Sequence, residues 1–119
     1  MILAHWIVGP QIVGVMMLIV GCIQKYYPPK RINNLYGYRT DSSKKSQQTW
    51  DEANRYSAIL MIKMGLIAIV LGLIMAAIFS IKYELVMVIT TTFTGIGFAV
   101  VLMVKTEKHL EKTFDKKAE

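Results

Sequence analysis

Three long apolar runs constrain this chain more than any other feature. Ile2 to Ile23 is nearly free of charge, Ala58 to Ile81 carries one charge at Lys63, and Leu85 to Val104 carries none. A run of about 18 or more apolar residues reads as a membrane-spanning helix. The pattern predicts spans at about residues 3–24, 57–81 and 85–104, with a first loop over 25–56 and a tail over 105–119. The hydrophobic share, 54% of 119 residues, is high for a soluble domain and fits this reading.

The expectation is a single all-α unit, residues 1–119. It is an integral membrane protein with three transmembrane helices, a cytoplasmic interfacial helix in the first loop, and a charged C-terminal tail helix. A cleaved leader competes for the first run. Such a leader wants a basic start, a shorter apolar core and a small-residue cleavage site. The start MILAHW has no Lys or Arg, and the run is too long.

The net charge of +6 matters through its placement. Lys25, Lys30, Arg31, Arg39, Lys44, Lys45 and Arg55 lie between the first two runs; Lys105, Lys108, Lys112, Lys116 and Lys117 follow the third. The hairpin between the second and third runs offers Lys82 alone. The excess of Lys and Arg places loop and tail in the cytoplasm and the N-terminus outside. Three spans demand the same arrangement. A basic chain also invites a nucleic-acid reading. Here the clusters flank apolar runs, where they set topology and touch anionic headgroups, so no nucleic acid is expected. Cys22 is a single cysteine, so no intrachain disulfide can form.

Within the runs, Pro10 and Gln11 interrupt the first in its outer half. A proline removes one backbone hydrogen bond and can kink a helix. Pro28 and Pro29 end that span. Gly65, Ala68, Gly72 and Ala76 recur at helical spacing in the second run, and Thr91, Gly95 and Ala99 in the third. Small residues in register let membrane helices pack closely. The hairpin at Ser80 to Glu84 is short, so the second and third spans are antiparallel neighbours. In the tail, Leu110 and Phe114 lie four apart, facing the membrane surface or the first loop.

The polar segment from Asn33 to Asn54 is where function is expected. Residues 30–40 are irregular around Gly37, which permits a turn forbidden to other residues. From Asp41 or Ser42 the chain reads as a helix start, and Ser43 to Arg55 as a helix on the cytoplasmic face. Whether it runs straight into the second span or bends near Asn54 to Ser57 is left open. Arg39 offers a planar fork of donors. A lipid phosphate, the backbone of its own loop, and Asp51 or Glu52 all suit it. Trp50 and Asn54 share one helical face, and a tryptophan at this level suits the interfacial aromatic belt. Two polar residues lie within the spans. Gln11 is expected to hydrogen-bond another helix. Lys63 either snorkels to the cytoplasmic surface or serves function there.

Nothing in the chain points to catalysis. His5 and His109 fall on opposite sides of the membrane, and no metal-ligand cluster, phosphate loop or nucleophile motif is present. No catalytic residue, metal or cofactor is expected.

The string Asn33, Gly37, Tyr38, Arg39, Thr40, followed by Ser43 and then by Trp50, Ala53 and Asn54, resembles the signature of the SdpI family of small bacterial membrane proteins. The ending from Thr106 to Asp115 is similar to that family's C-terminus. The resemblance implies a multi-pass protein of the bacterial plasma membrane, with the signature residues as the binding surface. The family's named member is an immunity protein against a secreted, membrane-active peptide toxin. It also signals by holding a transcriptional repressor at the membrane. A peptide toxin and a cytoplasmic repressor are therefore the implied partners, beside membrane lipids. That member is longer, with further spans ahead of the shared region. Two other readings stand beside immunity: a lipid-binding or assembly module, and a small oligomeric transporter or channel using Gln11 and Lys63. Three thin helices bury little surface, so a homo-oligomer is expected.

Overall fold

Pro10 decides where the first helix breaks. Its ring has no N–H to continue a helical ladder, and it suits the first turn of a new helix. In the computed structural model, which describes residues 2–79 and 81–115, the chain forms α1 (Ile2–Ile7) and then α2 (Pro10–Tyr26). The backbone between them is extended at Gly9. The single interrupted span expected over 3–24 is thus two helices, and α2 alone has 17 residues. Gln11 bridges the break. Its Nε2 donates to the Trp6 carbonyl at 2.7 Å, one of the acceptors left open at the end of α1.

Ser46 and Thr49 start the next helix. Ser46 Oγ accepts the Thr49 N–H at 3.1 Å, and Thr49 Oγ1 accepts the Ser46 N–H at 3.0 Å. This reciprocal box satisfies two donors that a helix start would otherwise leave open. From it α3 (Gln47–Ile78) runs unbroken for 32 residues, about 48 Å at 1.5 Å per residue. The helix expected over Ser43 to Arg55 begins at Gln47 and runs straight into the second apolar run, the first of the two courses left open; Asp41 to Lys44 is turn. No Pro or Gly occurs between Gln47 and Met64 to bend the helix. Its inward residues Trp50, Asn54, Ser57 and Met61 form one stripe across the supposed junction.

A three-residue turn of 3-10 helix (Ile81–Tyr83) leads into α4 (Glu84–Leu110), which closes in a π-turn (Glu111–Asp115). The tail helix is therefore a continuation of α4. Ser80 and residues 116–119, with Lys116 and Lys117, lie outside the described residues. The hydroxyls of Thr90, Thr91 and Thr92 donate to the carbonyls of Val86, Met87 and Val88 at 2.7, 2.6 and 3.0 Å. Polar groups in an apolar helix thus find partners within it.

The bundle is held chiefly by the antiparallel pair α2 and α3. A Cβ on Gly65 would stand 2.7 Å from the Gly14 carbonyl and 2.9 Å from the Leu18 nitrogen. The two backbones meet there with no room for a side chain. One Cβ on Gly21 would stand 3.0 Å from the Ala58 carbonyl. Gly65, Ala68, Gly72 and Ala76, the small residues singled out in the sequence, are all buried in α3. Their partners Gly14 and Gly21 were not singled out. At the far end His5 donates from Nε2 to the Ala76 carbonyl at 2.7 Å.

The small-residue set of the third run performs less well. Gly95 lies within ordinary contact of Val13, at 3.6 Å from where its Cβ would be, while Ala99 is exposed and Gly97 has open space beside it. α4 accordingly leaves Leu85, Phe93 and Ile96 exposed, as α2 leaves Met16 and Ile19 and α3 leaves Ile67 and Val70. Two helices, Gln47–Ile78 and the stretch Glu84–Phe114, are long and apolar enough to cross a membrane, and α2 is a shorter apolar helix. Exposed apolar flanks of this extent suit lipid rather than water.

Candidate functional site

The polar loop folds back on the end of the α2–α3 pair and forms a cap. Trp50 is its centre. It is 0% exposed, and its indole Nε1 donates to the Pro29 carbonyl at 2.7 Å. The ring is enclosed by the protein and presents no face to a surrounding aromatic belt. An indole can be enclosed fully only when its N–H has a partner, and Pro28–Pro29 supply one where α2 has ended.

Asn54, one turn further along the same face, organises the irregular half. Its Oδ1 accepts the Tyr38 N–H at 2.6 Å. Its Nδ2 donates to the Trp50 carbonyl at 2.9 Å and, longer, to the Tyr38 carbonyl at 3.4 Å. The side chain so mimics a strand partner for Tyr38. Gly37 makes this approach workable. Its φ is 99°, and a Cβ there would stand 2.5 Å from Asn54 Oδ1 and 2.6 Å from Pro29 Cγ.

Gln24 is the residue the sequence reading missed. It is buried near the end of α2, and its Nε2 donates to the Asn54 carbonyl and to Ser57 Oγ, both at 2.8 Å. A glutamine closing an apolar run, just before a break, is the one signal that marks it. Tyr36, also not singled out, donates its hydroxyl to the Tyr27 carbonyl at 2.6 Å and so ties the loop to the last turn of α2.

Other signature residues build the turns. Asn33 Oδ1 accepts the N–H groups of Leu35 and Tyr36 at 2.9 and 2.7 Å, a side chain standing in for a backbone turn. Thr40 and Ser43 interlock: the Thr40 N–H donates to Ser43 Oγ at 2.8 Å, and the Ser43 N–H to Thr40 Oγ1 at 3.2 Å. Ser43 is fully buried. Arg39 stands outside. It is exposed, and its Nη1 donates to the Asn34 carbonyl at 2.8 Å. The loop backbone, one of the three partners that suit it, is engaged. Lys44 Nζ donates to Asn34 Oδ1 at 2.6 Å, so two cations fix the tip. Leu35 projects from that tip, 92% exposed.

The end of α4 closes the cap on its other side. Glu52 receives two hydrogen bonds from Arg55, Nε to Oε1 at 2.7 Å and Nη2 to Oε2 at 2.6 Å. His109 reaches Glu52 Oε2 at 2.6 Å, and its ring stacks on Tyr56 with centroids 4.1 Å apart. The hydrogen bond from Arg55, with that from His109, holds the Glu52 carboxyl at about 2, below its usual 4.5. Burial pushes the Tyr38 phenol up, and the nearby Glu107 carboxylate adds to this. Leu110 is buried and, with Phe114, lines a cavity of about 240 Å³ beside Ser42, Lys45 and Thr49. Of the two faces open to these tail residues, the first loop is the one they meet.

Gln11 and Lys63 are not part of this assembly. Gln11 is buried toward the opposite end, over Gly72, and Lys63 lies on an exposed flank of α3. Among the described residues no group of His, Cys, Asp and Glu is placed to hold a metal ion. Chemically the cap is a hydrogen-bonded platform with Leu35 and Arg39 exposed at its tip and Lys44 half-buried beside them.

Comparison with known proteins shows which family the chain belongs to. The pattern of the SdpI/YfhL protein family matches residues 30–105, from the start of the cap to the last turns of α4. A stretch of 64 residues is 50% identical to uncharacterized protein YfhL of Bacillus subtilis (strain 168), covering 54% of this chain and 58% of that protein. The match thus spans little more than half of the relative's length. No solved structure matches. With more than half of the chain inside the family's pattern, Trp50 and Asn54 among the matched residues, the protein belongs to the SdpI/YfhL family.

Proposed function

We propose that this is a non-enzymatic, three-span protein of the bacterial plasma membrane. The N-terminus lies outside, with cap and tail in the cytoplasm. It confers resistance to a secreted, membrane-active peptide toxin and relays the toxin's presence through the cap. The observation that carries this reading is the cap itself. Asn33, Gly37, Tyr38, Thr40, Ser43, Trp50 and Asn54 are spent on ordering it, while Arg39 and Leu35 are presented outward. A loop that merely joined two spans would need about 2–8 residues and no such network. Family membership supports an immunity-like role, and a cytoplasmic repressor is the partner proposed for the tip.

Toxin challenge of cells with and without the protein tests the reading, with an Arg39→Lys variant alongside. Lysine keeps the charge but loses the planar fork. Protection should fall with Arg39→Lys at unchanged membrane insertion. If Arg39→Lys protects as well as a Lys108→Ala chain, a change at an exposed lysine outside the tip, the tip is not a contact surface. An impermeant thiol reagent on intact cells should label a cysteine placed in the Ile81–Tyr83 turn and spare one placed at Leu35. The opposite pattern reverses the topology.

A lipid-binding module is the second reading, favoured by the placement of Lys63 described below. A transporter has weaker support, because Gln11 is enclosed at one end and Lys63 faces outward. Solute flux in liposomes tests it.

A further inference from the structure

Lys63 is the one charged residue in the apolar part of α3, and the cap makes no use of it. It is exposed, and the ion pairs among the described residues, Arg55–Glu52 and His109–Glu52, do not include it. An ammonium set into a lipid-facing helix is costly unless it reaches the interface or meets an anion. Its surroundings provide for both. Arg55, Tyr56, Ile59, Leu60, Lys63 and His109 line a cleft of about 360 Å³ on this flank. Arg55, Ile59 and Lys63 follow at intervals of four and share one face. Arg55 and Lys63 stand about 12 Å apart along the axis, so a lysine stem reaching toward the cap carries its ammonium roughly half of that distance, to the level of Ile59. The cleft is basic toward the cap and apolar along Ile59 and Leu60. Glu52 offsets the charge of Arg55, which leaves Lys63 as one positive charge without a counter-charge.

The geometry points to a binding site for an anionic glycerophospholipid. Lys63 holds the phosphodiester, Arg55 adds positive charge on the cap side, and the acyl chains lie against the apolar wall of Ile59 and Leu60. A monoanionic headgroup matches the single unbalanced charge. A zwitterionic headgroup brings its own ammonium and gains less. Basic pockets between membrane helices on the cytoplasmic side are suited to anionic headgroups. This rests on the membrane placement proposed above and not on toxin immunity.

The test is lipid binding to the full chain purified in dodecyl maltoside, read by native mass spectrometry. Dioleoyl phosphatidylglycerol should bind at least about tenfold more tightly than dioleoyl phosphatidylcholine, the discrimination expected of one charge-assisted contact. Lys63→Gln should abolish the preference, Lys63→Arg should keep it, and Lys25→Gln, a nearby cation outside the cleft, should also keep it. Equal binding of the two lipids by the unaltered chain would overturn the proposal, whether or not Lys63→Gln folds. So would an equal loss in Lys25→Gln, which would mean diffuse surface charge. Displacement of phosphatidylglycerol by equimolar inorganic phosphate would overturn the lipid assignment in favour of a free anion. No toxin enters the measurement, so a failure of immunity and a failure of this site are read separately.

Discussion

At Gly37 the backbone takes φ 99° while Asn54 Oδ1 approaches to within 2.5 Å of where a Cβ would sit. A side chain there meets two penalties at once. The left-handed region costs a non-glycine residue about 1–2 kcal/mol, and the clash pushes Asn54 off the Tyr38 N–H. Gly37→Ala should therefore lower the stability of the cap by more than about 2 kcal/mol, read as a lower thermal midpoint in detergent. Trp50→Phe probes the other anchor. It keeps most of the apolar burial but strands the Pro29 carbonyl, at a cost of about 1–3 kcal/mol. Both changes should leave expression and membrane insertion intact. The glycine, the tryptophan and the asparagine were legible in sequence as a set, because turn-permissive, aromatic and amide residues in one polar loop imply specific geometry. Their burial was not legible. Tryptophan beside a membrane suits an exposed belt equally well, and only the position of the Pro29 carbonyl distinguishes the two.

Between elements, the α2–α3 seam and the α3–α4 contact differ in kind. Gly65 faces the Gly14 carbonyl with no space for a methyl group, while Gly97 has nothing within 4 Å. Gly65→Ala should cost about 1–3 kcal/mol by forcing the helices apart. Gly97→Ala should be neutral or stabilise by about 0.5–1 kcal/mol through helix propensity. Paired thermal melts separate these outcomes, and equal effects would mean the seam is not where the backbones meet. The α4 tail is held instead by Glu52, Arg55 and His109. Glu52 titrates at about 2 in the fold against an ordinary 4.5. A carboxylate with a depressed value contributes its full share above about pH 4.5 and loses it as pH falls toward about 2. The ring signals of His109 should shift over that window, and Glu52→Gln should remove the step. Sequence periodicity found the small residues of α3 but not their counterparts Gly14 and Gly21, since glycines seven apart in an apolar run carry no pattern without knowledge of the partner. The continuity of α3 was likewise undecided, because a change from polar to apolar residues does not by itself break a helix.

The whole molecule measures 55 × 27 × 20 Å along its principal axes. A hydrocarbon layer is about 30 Å thick, so the long axis holds an apolar band and leaves room for a folded cap at one end. This division was visible in the sequence: apolar runs on one side, a polar loop and a basic tail on the other. The docking of tail on loop was not, since it depends on His109 reaching Glu52 and on Leu110 and Thr49 lining one cavity, pairings of residues far apart in the chain. Whether the cap is ordered in a bilayer decides whether it can report on the helices beneath it. Amide hydrogen exchange on the protein in lipid nanodiscs measures this residue by residue. The Tyr38 and Trp50 amides, bonded to Asn54 Oδ1 and the Ser46 carbonyl, should exchange as slowly as amides in the middle of α3, and Asn54→Ala should release Tyr38. Exchange at unstructured-peptide rates from Tyr36 through Ser46, with no change on Asn54→Ala, would contradict an ordered cap and reduce the loop to a linker.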